Sequence, residues 1–204
     1  MIKIVLATEN PGKIKEIESY FTNLSLTLIP QSSFNVPPVE ERGLSFVENA
    51  LIKARHAAKY SDLPALADDS GLAVEALGGA PGIYSARYAG PGASAQDNIK
   101  KLLNAISSLS GEDRRARFYC ALAFVKHYHD PTPVICQAEW EGTLLNKPVG
   151  AGGFGYDPIF FVPALNCTAA ELSAQQKNTL SHRAKALSLL SAQFQRLYPA
   201  LHAR

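Results

Sequence analysis

The chain has 204 residues with 47% hydrophobic and 19% charged side chains, which predicts a globular protein of one large domain or two closely packed lobes. Its net charge of +2 provides no general attraction to a nucleic acid polymer, and no apolar stretch is long enough to span a membrane. Three widely spaced cysteines offer no zinc or disulfide framework, so we expect reduced thiols in a cytoplasmic protein.

The first predicted elements are a buried strand at residues 2–7 and a helix that begins after Asn10. Asn10 is a typical N-cap, and the proline that follows it suits the first helical position. Free backbone N–H groups and the helix dipole attract anions at such a junction, and Lys13 adds a positive charge. An ordinary helix start with a solvated lysine explains the same pattern equally well. The candidate binding residues here are Thr8, Glu9, Asn10, Pro11, Gly12 and Lys13.

The next predicted elements are a short strand at residues 26–29 and a helix that ends near residue 60. Ser45 and Glu48 form the capping-box pattern that begins this helix. Lys53 lies on its polar side, where a solvated lysine is the simpler interpretation and a phosphate contact the functional one.

An acidic segment follows a third predicted strand at residues 65–67. Adjacent acids at the end of an apolar strand are costly to bury without a cation. The polar loop at residues 31–43 carries Glu40 and Glu41, which can approach them. Carboxylate oxygens suit Mg²⁺, and one aspartate can orient or deprotonate a water. The alternative is a simple turn that ends the strand at Asp68-Asp69-Ser70-Gly71.

The middle of the chain predicts an irregular loop at residues 78–92 and a helix at residues 93–109. Two strands follow at residues 117–125 and 134–144, joined as a hairpin through a turn near residue 130. Early strands alternate with helices and later strands pair locally. This order predicts an α/β protein with a long mixed sheet flanked by helices.

A glycine-rich segment at residues 150–160 is the most informative stretch of the chain. It matches the dinucleotide pattern G-x-G-x-x-G, but a short strand follows it instead of the helix that this fingerprint requires. Glycines let a backbone approach a ligand closely, and an aromatic ring can stack on a nucleotide base. A surface hairpin with core aromatics is the alternative. The candidate base-binding residues are Phe154, Gly155, Tyr156 and Asp157.

The last predicted helix covers residues 179–198, with Ser181 as a possible N-cap. His182 and Arg183 would lie in its first turn, where positive charge opposes the helix dipole. Such a local misfit is typical of a functional site, although an ordinary surface helix start explains it as well. With Lys177, these donors suit a base carbonyl or a phosphate.

With these segments assembled, the chain resembles the inosine/xanthosine triphosphate pyrophosphatase family, whose enzymes remove deaminated purine nucleotides. The matching motifs occur in family order over nearly the whole chain. They are Thr8-x-Asn10-x-x-Lys13, Ser45-Phe46-x-Glu48-Asn49-Ala50, Ala67-Asp68-Asp69-Ser70-Gly71-Leu72, Gly79-x-Pro81-Gly82, Gly152 to Phe160 and Ser181-His182-Arg183.

The resemblance implies two lobes with a nucleotide cleft between them and a Mg²⁺-dependent reaction. ITP, dITP and XTP would be cleaved between the α- and β-phosphates to a nucleoside monophosphate and pyrophosphate. It also implies a cytoplasmic homodimer. Asp69 would be the general base, and Glu40 or Glu41 would bind Mg²⁺ with it. The implied substrate-binding residues are the segment from Thr8 to Lys13, Lys53, Asp68, Ser70, Phe154, Gly155, Tyr156, Asp157, Lys177, His182 and Arg183.

Three other functions remain open on the sequence alone. The first is a related pyrophosphatase that prefers modified pyrimidines. The second is a nucleotide sensor without turnover, which the acidic residues disfavour. The third is an NAD-dependent oxidoreductase, which the missing helix after Gly155 disfavours.

Overall fold

A computed structural model describes residues 2–22 and 24–199 of the chain. Within these residues, seven strands form one mixed sheet in the order β2-β1-β3-β4-β5-β6-β7. β1 pairs in parallel with β2 and β3, whereas β6 pairs antiparallel with β5 and β7. The strands are β1 (Ile2–Leu6), β2 (Leu26–Pro30), β3 (Ala65–Val74), β4 (Arg115–Val125), β5 (Val134–Leu144), β6 (Phe160–Val162) and β7 (Cys167–Thr168).

Five α-helices accompany the sheet in the described part of the chain, together with several short 3₁₀ turns. None of them combines the length and apolar character that a membrane crossing requires. The seven-stranded mixed sheet and these helices confirm the predicted class, an α/β protein with a long mixed sheet flanked by helices. The helices are α1 (Pro11–Phe21), α2 (Phe46–Ser61), α3 (Ala95–Ala105), α4 (Ala174–Leu180) and α5 (His182–Leu197).

The chain divides into two compact units, each built from segments that are not continuous in sequence. Unit 1 contains residues up to 69, residues 120–138 and residues from 183 onward. Unit 2 contains residues 70–119 and 139–182. β3, β4 and β5 each begin in one unit and end in the other.

Unit 1 has two apolar layers because successive residues of a strand point to opposite faces. One layer contains Leu66 of β3 and the apolar sides of α1 and α5. The other contains Ala65 and Ala67 of β3 with the alanines of α2. Small side chains let α2 lie close to the strands, which matters for the lysine that this helix carries. In unit 2, a third core joins α3 to an aromatic group built from Phe118, Trp140, Tyr156 and Phe160.

Two helix starts confirm the predictions from capping residues. The Asn10 side chain accepts hydrogen bonds from the N–H groups of Gly12 and Lys13, and Pro11 opens α1. Ser45 accepts from the N–H of Glu48 at the start of α2. The Glu48 carboxylate accepts from the Leu44 N–H and the Ser45 hydroxyl.

The predicted end of β3 was wrong. We expected the strand to stop at residue 67, but it continues through Asp68, Asp69 and Ser70 to Val74. Both aspartates are buried and paired with cations, so they do not force the backbone into a solvated turn.

The final helix was predicted over residues 179–198 with Ser181 as a possible N-cap, so its start was placed too early and the separate helix α4 was not predicted. The structure has α4 and α5, separated by Ser181 in an extended conformation. Ser173 and Gln176 form a capping box that starts α4. Elsewhere the differences are small. The irregular loop at residues 78–92 contains the 3₁₀ turn Gly82–Arg87. Ser94 and Asp97 form a capping box that starts α3 two residues later than predicted, and the helix ends at Ala105 instead of residue 109.

Candidate active site

Asp68 is a fully buried carboxylate at the centre of an ionic cluster in unit 1. Each of its two oxygens pairs with a different cation: Oδ1 pairs with Lys13 Nζ, and Oδ2 accepts from Arg183 Nε at 2.8 Å. The Cys120 thiol also donates to Oδ2 at 3.1 Å, and Arg183 reaches Glu16 with its Nη1. Asp68 therefore ties α1, β4 and α5 to the middle of β3.

Asp69 points to the opposite face of β3, where α2 lies. Its Oδ1 accepts from Lys53 Nζ at 2.7 Å, and the same ammonium pairs with Glu41 Oε1 at 3.0 Å. The second oxygen of Asp69, Oδ2, is buried and has no hydrogen-bond partner among the described residues. An unpaired buried carboxylate oxygen is costly, and it marks a position where a ligand, water or cation fits.

The two neighbouring aspartates differ in their acidity. Burial alone would raise the pKa of Asp68, but the charges of Arg183 and Lys13 hold it well below its usual value. Burial raises the pKa of Asp69, and the attraction of Lys53 does not fully offset it. Paired acids with diverging pKa values are typical of sites where one carboxylate is structural and the other exchanges protons.

A divalent cation fits the residues around Asp69. Mg²⁺ uses one or two carboxylates and completes its shell with water and substrate phosphates. Asp69 and Glu41 share Lys53 and supply two such carboxylates. Within the described residues no group of three His, Cys, Asp or Glu side chains is arranged to hold a metal.

The structure distinguishes Glu40 from Glu41, which the sequence could not do, because the two residues have different partners. Glu40 is exposed and pairs with Arg42 at 2.6 Å, and this contact lowers its pKa. Glu41 is the one that lies beside Lys53.

The start of α1 differs from the predicted anion site. Asn10 Oδ1 already accepts from the N–H groups of Gly12 and Lys13 at 2.9 and 3.1 Å, and Pro11 has no N–H. The Thr8 hydroxyl accepts from the Asn10 N–H, and Glu9 is exposed and bonds Gln31. The cap therefore occupies the amides that the sequence counted as free, and the role of this segment in phosphate binding stays a prediction.

The glycine-rich loop of unit 2 is organised by Asp157. Its Oδ2 accepts from the Phe154 N–H at 2.8 Å and from Lys177 Nζ at 2.6 Å. Lys177 Nζ also lies 4.5 Å from the centre of the Phe154 ring, a cation–π contact. A Cβ at Gly153 would lie 2.0 Å from the same carboxylate oxygen, so only glycine fits there. Gly155 has a positive φ of +61°, and a Cβ added there would meet nothing within 4 Å.

Tyr156 has a structural position in unit 2. Its ring is buried in the core, and its hydroxyl donates to the Ser85 carbonyl at 2.9 Å. The Ser85 hydroxyl in turn accepts from the Leu72 N–H and donates to the Gly82 carbonyl. A Cβ at Gly71 would lie 2.4 Å from that hydroxyl oxygen, which explains the glycine after Ser70.

His182 and Arg183 are neighbours in the chain with different surroundings. The His182 ring stacks on Phe118 with ring centres 4.8 Å apart and planes 13° apart. Arg183 is buried between Asp68 and Glu16, and Asp68 keeps its pKa raised despite burial. Sequence reasoning missed Glu16, Cys120 and Ser85, although Glu16 lies one turn after Lys13 on α1.

Fold and geometry together define an α/β protein with a metal-compatible acidic site in unit 1 and an aromatic, cation-bearing loop in unit 2. The chain belongs to the Ham1 family, whose model matches residues 4–193. This confirms the resemblance seen in the sequence.

Named relatives and solved structures support this assignment over nearly the full chain. The dITP/XTP pyrophosphatase of Pectobacterium atrosepticum is 56% identical over 190 residues, which are 93% of this chain and 96% of the relative. That of Escherichia coli K12 is 53% identical over the same shares. The HAM1 protein from Coxiella burnetii has a TM-score of 0.90 and 49% identity over 96% of this chain and all of that chain. The Staphylococcus aureus Ham1 protein has a TM-score of 0.85 and 41% identity over 96% and 99%.

Proposed function

We propose that this protein is a Mg²⁺-dependent dITP/XTP pyrophosphatase. It hydrolyses dITP, ITP and XTP between the α- and β-phosphates and releases a nucleoside monophosphate and pyrophosphate. The family and the names of its relatives support the substrate class. The structural observation that carries the proposal is the buried, unpaired Oδ2 of Asp69 beside Lys53 and Glu41.

Asp69 and Glu41 would hold the metal, and Mg²⁺ there would supply a Lewis acid that neutralises phosphate charge. Asp69 also accepts a proton from the attacking water, a role for which its unpaired Oδ2 provides the acceptor. The water oxygen bonds to phosphorus, the α–β bridging bond breaks, and pyrophosphate leaves. Lys53 and Lys13 contribute positive charge to the triphosphate.

The base is assigned to the residues of unit 2. Phe154 offers a ring for stacking, and Asp157 with Lys177 fixes the loop that carries it. His182 and backbone N–H groups supply donors for the oxygen at C6 of hypoxanthine or xanthine. Adenine presents an amino donor there, and each buried donor left unpaired costs roughly 1–3 kcal/mol. Several such losses together give the strong rejection that polar sites achieve.

The test is a substrate panel of ITP, dITP, XTP, ATP, GTP and dUTP with Mg²⁺. Pyrophosphate and orthophosphate are measured separately. We expect pyrophosphate from the deaminated purines and little product from ATP or GTP. Orthophosphate release would refute the assigned bond, preference for dUTP would refute the substrate class, and no turnover would favour a nucleotide sensor.

We also propose a homodimer in the cytoplasm, which rests on the resemblance. Light scattering coupled to gel filtration tests the assembly, since one chain has a mass of 22.0 kDa. A mass of one chain at micromolar concentration would refute the dimer. Fractionation of cells tests the location.

A further inference from the structure

We propose that Asn49 is a positioning residue that sets Glu41 for metal binding. This inference rests on the proposed function, because it assigns Glu41 to the metal. Asn49 lies in the first turns of α2, and its side chain is fully buried. No role for it follows from the charges of the site, so its contacts must explain it.

The first contact joins Asn49 to the loop that carries Glu41. The side-chain oxygen Oδ1 of Asn49 accepts a hydrogen bond from the Gly43 N–H at 2.8 Å. Gly43 follows Glu41 by two residues. A Cβ at Gly43 would lie 2.7 Å from that oxygen and 2.5 Å from Glu48 Cβ, so the loop lies directly on the helix. This contact fixes the backbone beside Glu41.

The second contact lies one turn further along the same helix. Residues four apart share a helix face, so Lys53 follows Asn49 on the side that meets the loop. Lys53 Nζ pairs with Glu41 at 3.0 Å and with Asp69 at 2.7 Å. α2 therefore holds the Glu41 loop at two points, through its backbone at Asn49 and through its carboxylate at Lys53. If Glu41 exchanged Lys53 for a metal, the Asn49 contact would remain to anchor the loop.

Apolar packing alone does not account for an asparagine at this position. Its Nδ2 is buried and has no hydrogen-bond partner among the described residues. The neighbouring buried residues of α2 are alanines, and an apolar residue here would remove the unpaired Nδ2 but would leave the Gly43 N–H without its acceptor. The side chain is therefore explained by the single bond that it makes to Gly43.

The experiment compares the parent with Asn49→Ala. Hydrogen exchange of residues 40–45 measures how firmly Asn49 holds the loop at Gly43. Direct titration with Mn²⁺ measures metal affinity, and ITP hydrolysis at increasing Mg²⁺ concentration measures the metal dependence of the reaction. We expect faster exchange, about tenfold weaker Mn²⁺ binding and about a tenfold higher half-saturating Mg²⁺, with kcat at saturating metal largely kept. The matched control is Asn98→Ala. Asn98 is buried and accepts from the Ala89 N–H at 2.7 Å in unit 2, so its loss should leave metal dependence unchanged.

A second background tests whether Asn49 acts through Glu41. In a Glu41→Gln protein, adding Asn49→Ala should change Mn²⁺ affinity no further. An independent effect in that background, or unchanged metal affinity in Asn49→Ala alone, would overturn the proposal. If Asn49→Ala does not fold, Gly43→Ala disrupts the same contact from the loop side. If the parent does not hydrolyse ITP, the proposed function fails, while hydrogen exchange and Mn²⁺ titration still decide whether Asn49 sets the loop.

Discussion

Asp68 and Asp69 are chemically identical neighbours that β3 directs to opposite faces, where they have different partners. Asp68 has both oxygens occupied by cations, whereas Asp69 has one oxygen without a partner. The same change from aspartate to asparagine should therefore affect turnover at position 69 and the free energy of unfolding at position 68.

Asp69→Asn should abolish most turnover without lowering stability. Loss of a general base costs about 10²-fold or more in rate. Burial raises the pKa of Asp69, so its ionised form is disfavoured by folding and a neutral amide removes that cost at neutral pH. Initial rates with ITP and thermal unfolding check both parts. Turnover equal to that of the parent would refute the assignment of Asp69.

Asp68→Asn should instead destabilise the fold by about 3–5 kcal/mol, because it leaves Arg183 buried beside a neutral group. The lowered pKa of Asp68 means that its stabilisation is present above about pH 4 and is lost as pH falls through the lowered native value. Urea unfolding at pH 7 measures the loss. A change smaller than that of Asp69→Asn would contradict this prediction.

His182→Ala and Arg183→Ala should differ, although the sequence suggested one shared role in reading the base. His182→Ala should reduce the preference for ITP over ATP by about tenfold, since it removes one donor. Arg183→Ala should mainly lower the unfolding temperature, because Arg183 is buried between Asp68 and Glu16. Ratios of kcat/KM and melting curves distinguish them, and equal loss of both rates in His182→Ala would assign this residue to the phosphates.

The sequence identified most of these side chains but not their partners. Polar residues beside apolar runs stand out locally, which is why Asp68, Asp69 and Lys13 were found. The bond between Arg183 and Asp68 joins residues 115 positions apart, and no local pattern encodes it. Glu40 and Glu41 are likewise equivalent in sequence and were separated only by their neighbours in space.

At the scale of elements, the glycine-rich loop depends on one glycine more than on another. Gly153→Ala should raise the KM for ITP about tenfold or more, because the new Cβ meets Asp157 Oδ2 at 2.0 Å and displaces the carboxylate that holds Lys177. Gly155→Ala is the matched control. Its φ of +61° imposes a similar backbone strain of about 1–2 kcal/mol, but nothing lies within 4 Å. Equal KM values for the two variants would argue against the role of Asp157.

Elements were predicted well where local chemistry decides them and poorly where distant contacts do. Asn10 and Ser45 began α1 and α2 as their capping patterns indicated. β3 was cut short, because the cations that allow two aspartates inside a strand come from α1, α2 and α5. The N-cap pattern at Ser181 marked the start of α5, but the polar sequence before it did not indicate the separate helix α4.

At the scale of the whole molecule, a net charge of +2 conceals a local deficit of positive charge. The cluster in unit 1 contains three cations and four carboxylates, a net charge of −1 when all are ionised. The contributing residues are Lys13, Lys53, Arg183, Glu16, Glu41, Asp68 and Asp69. A triphosphate carries several negative charges of its own, so the protein alone cannot offset them there.

Nucleotide binding should therefore stabilise the protein far more when a divalent metal is present than when it is absent. An ITP analogue with a non-hydrolysable α–β bridge, at about 100 times its Kd, adds roughly 2.7 kcal/mol. For a chain of this size, that corresponds to a rise of about 5–10 °C in Tm. With EDTA the shift should fall to a small fraction of this value, and Glu41→Gln with Mg²⁺ should give an intermediate shift because one carboxylate remains. Equal shifts with and without metal would show that the lysines suffice for the triphosphate and that the acidic residues around Asp69 act on the water alone.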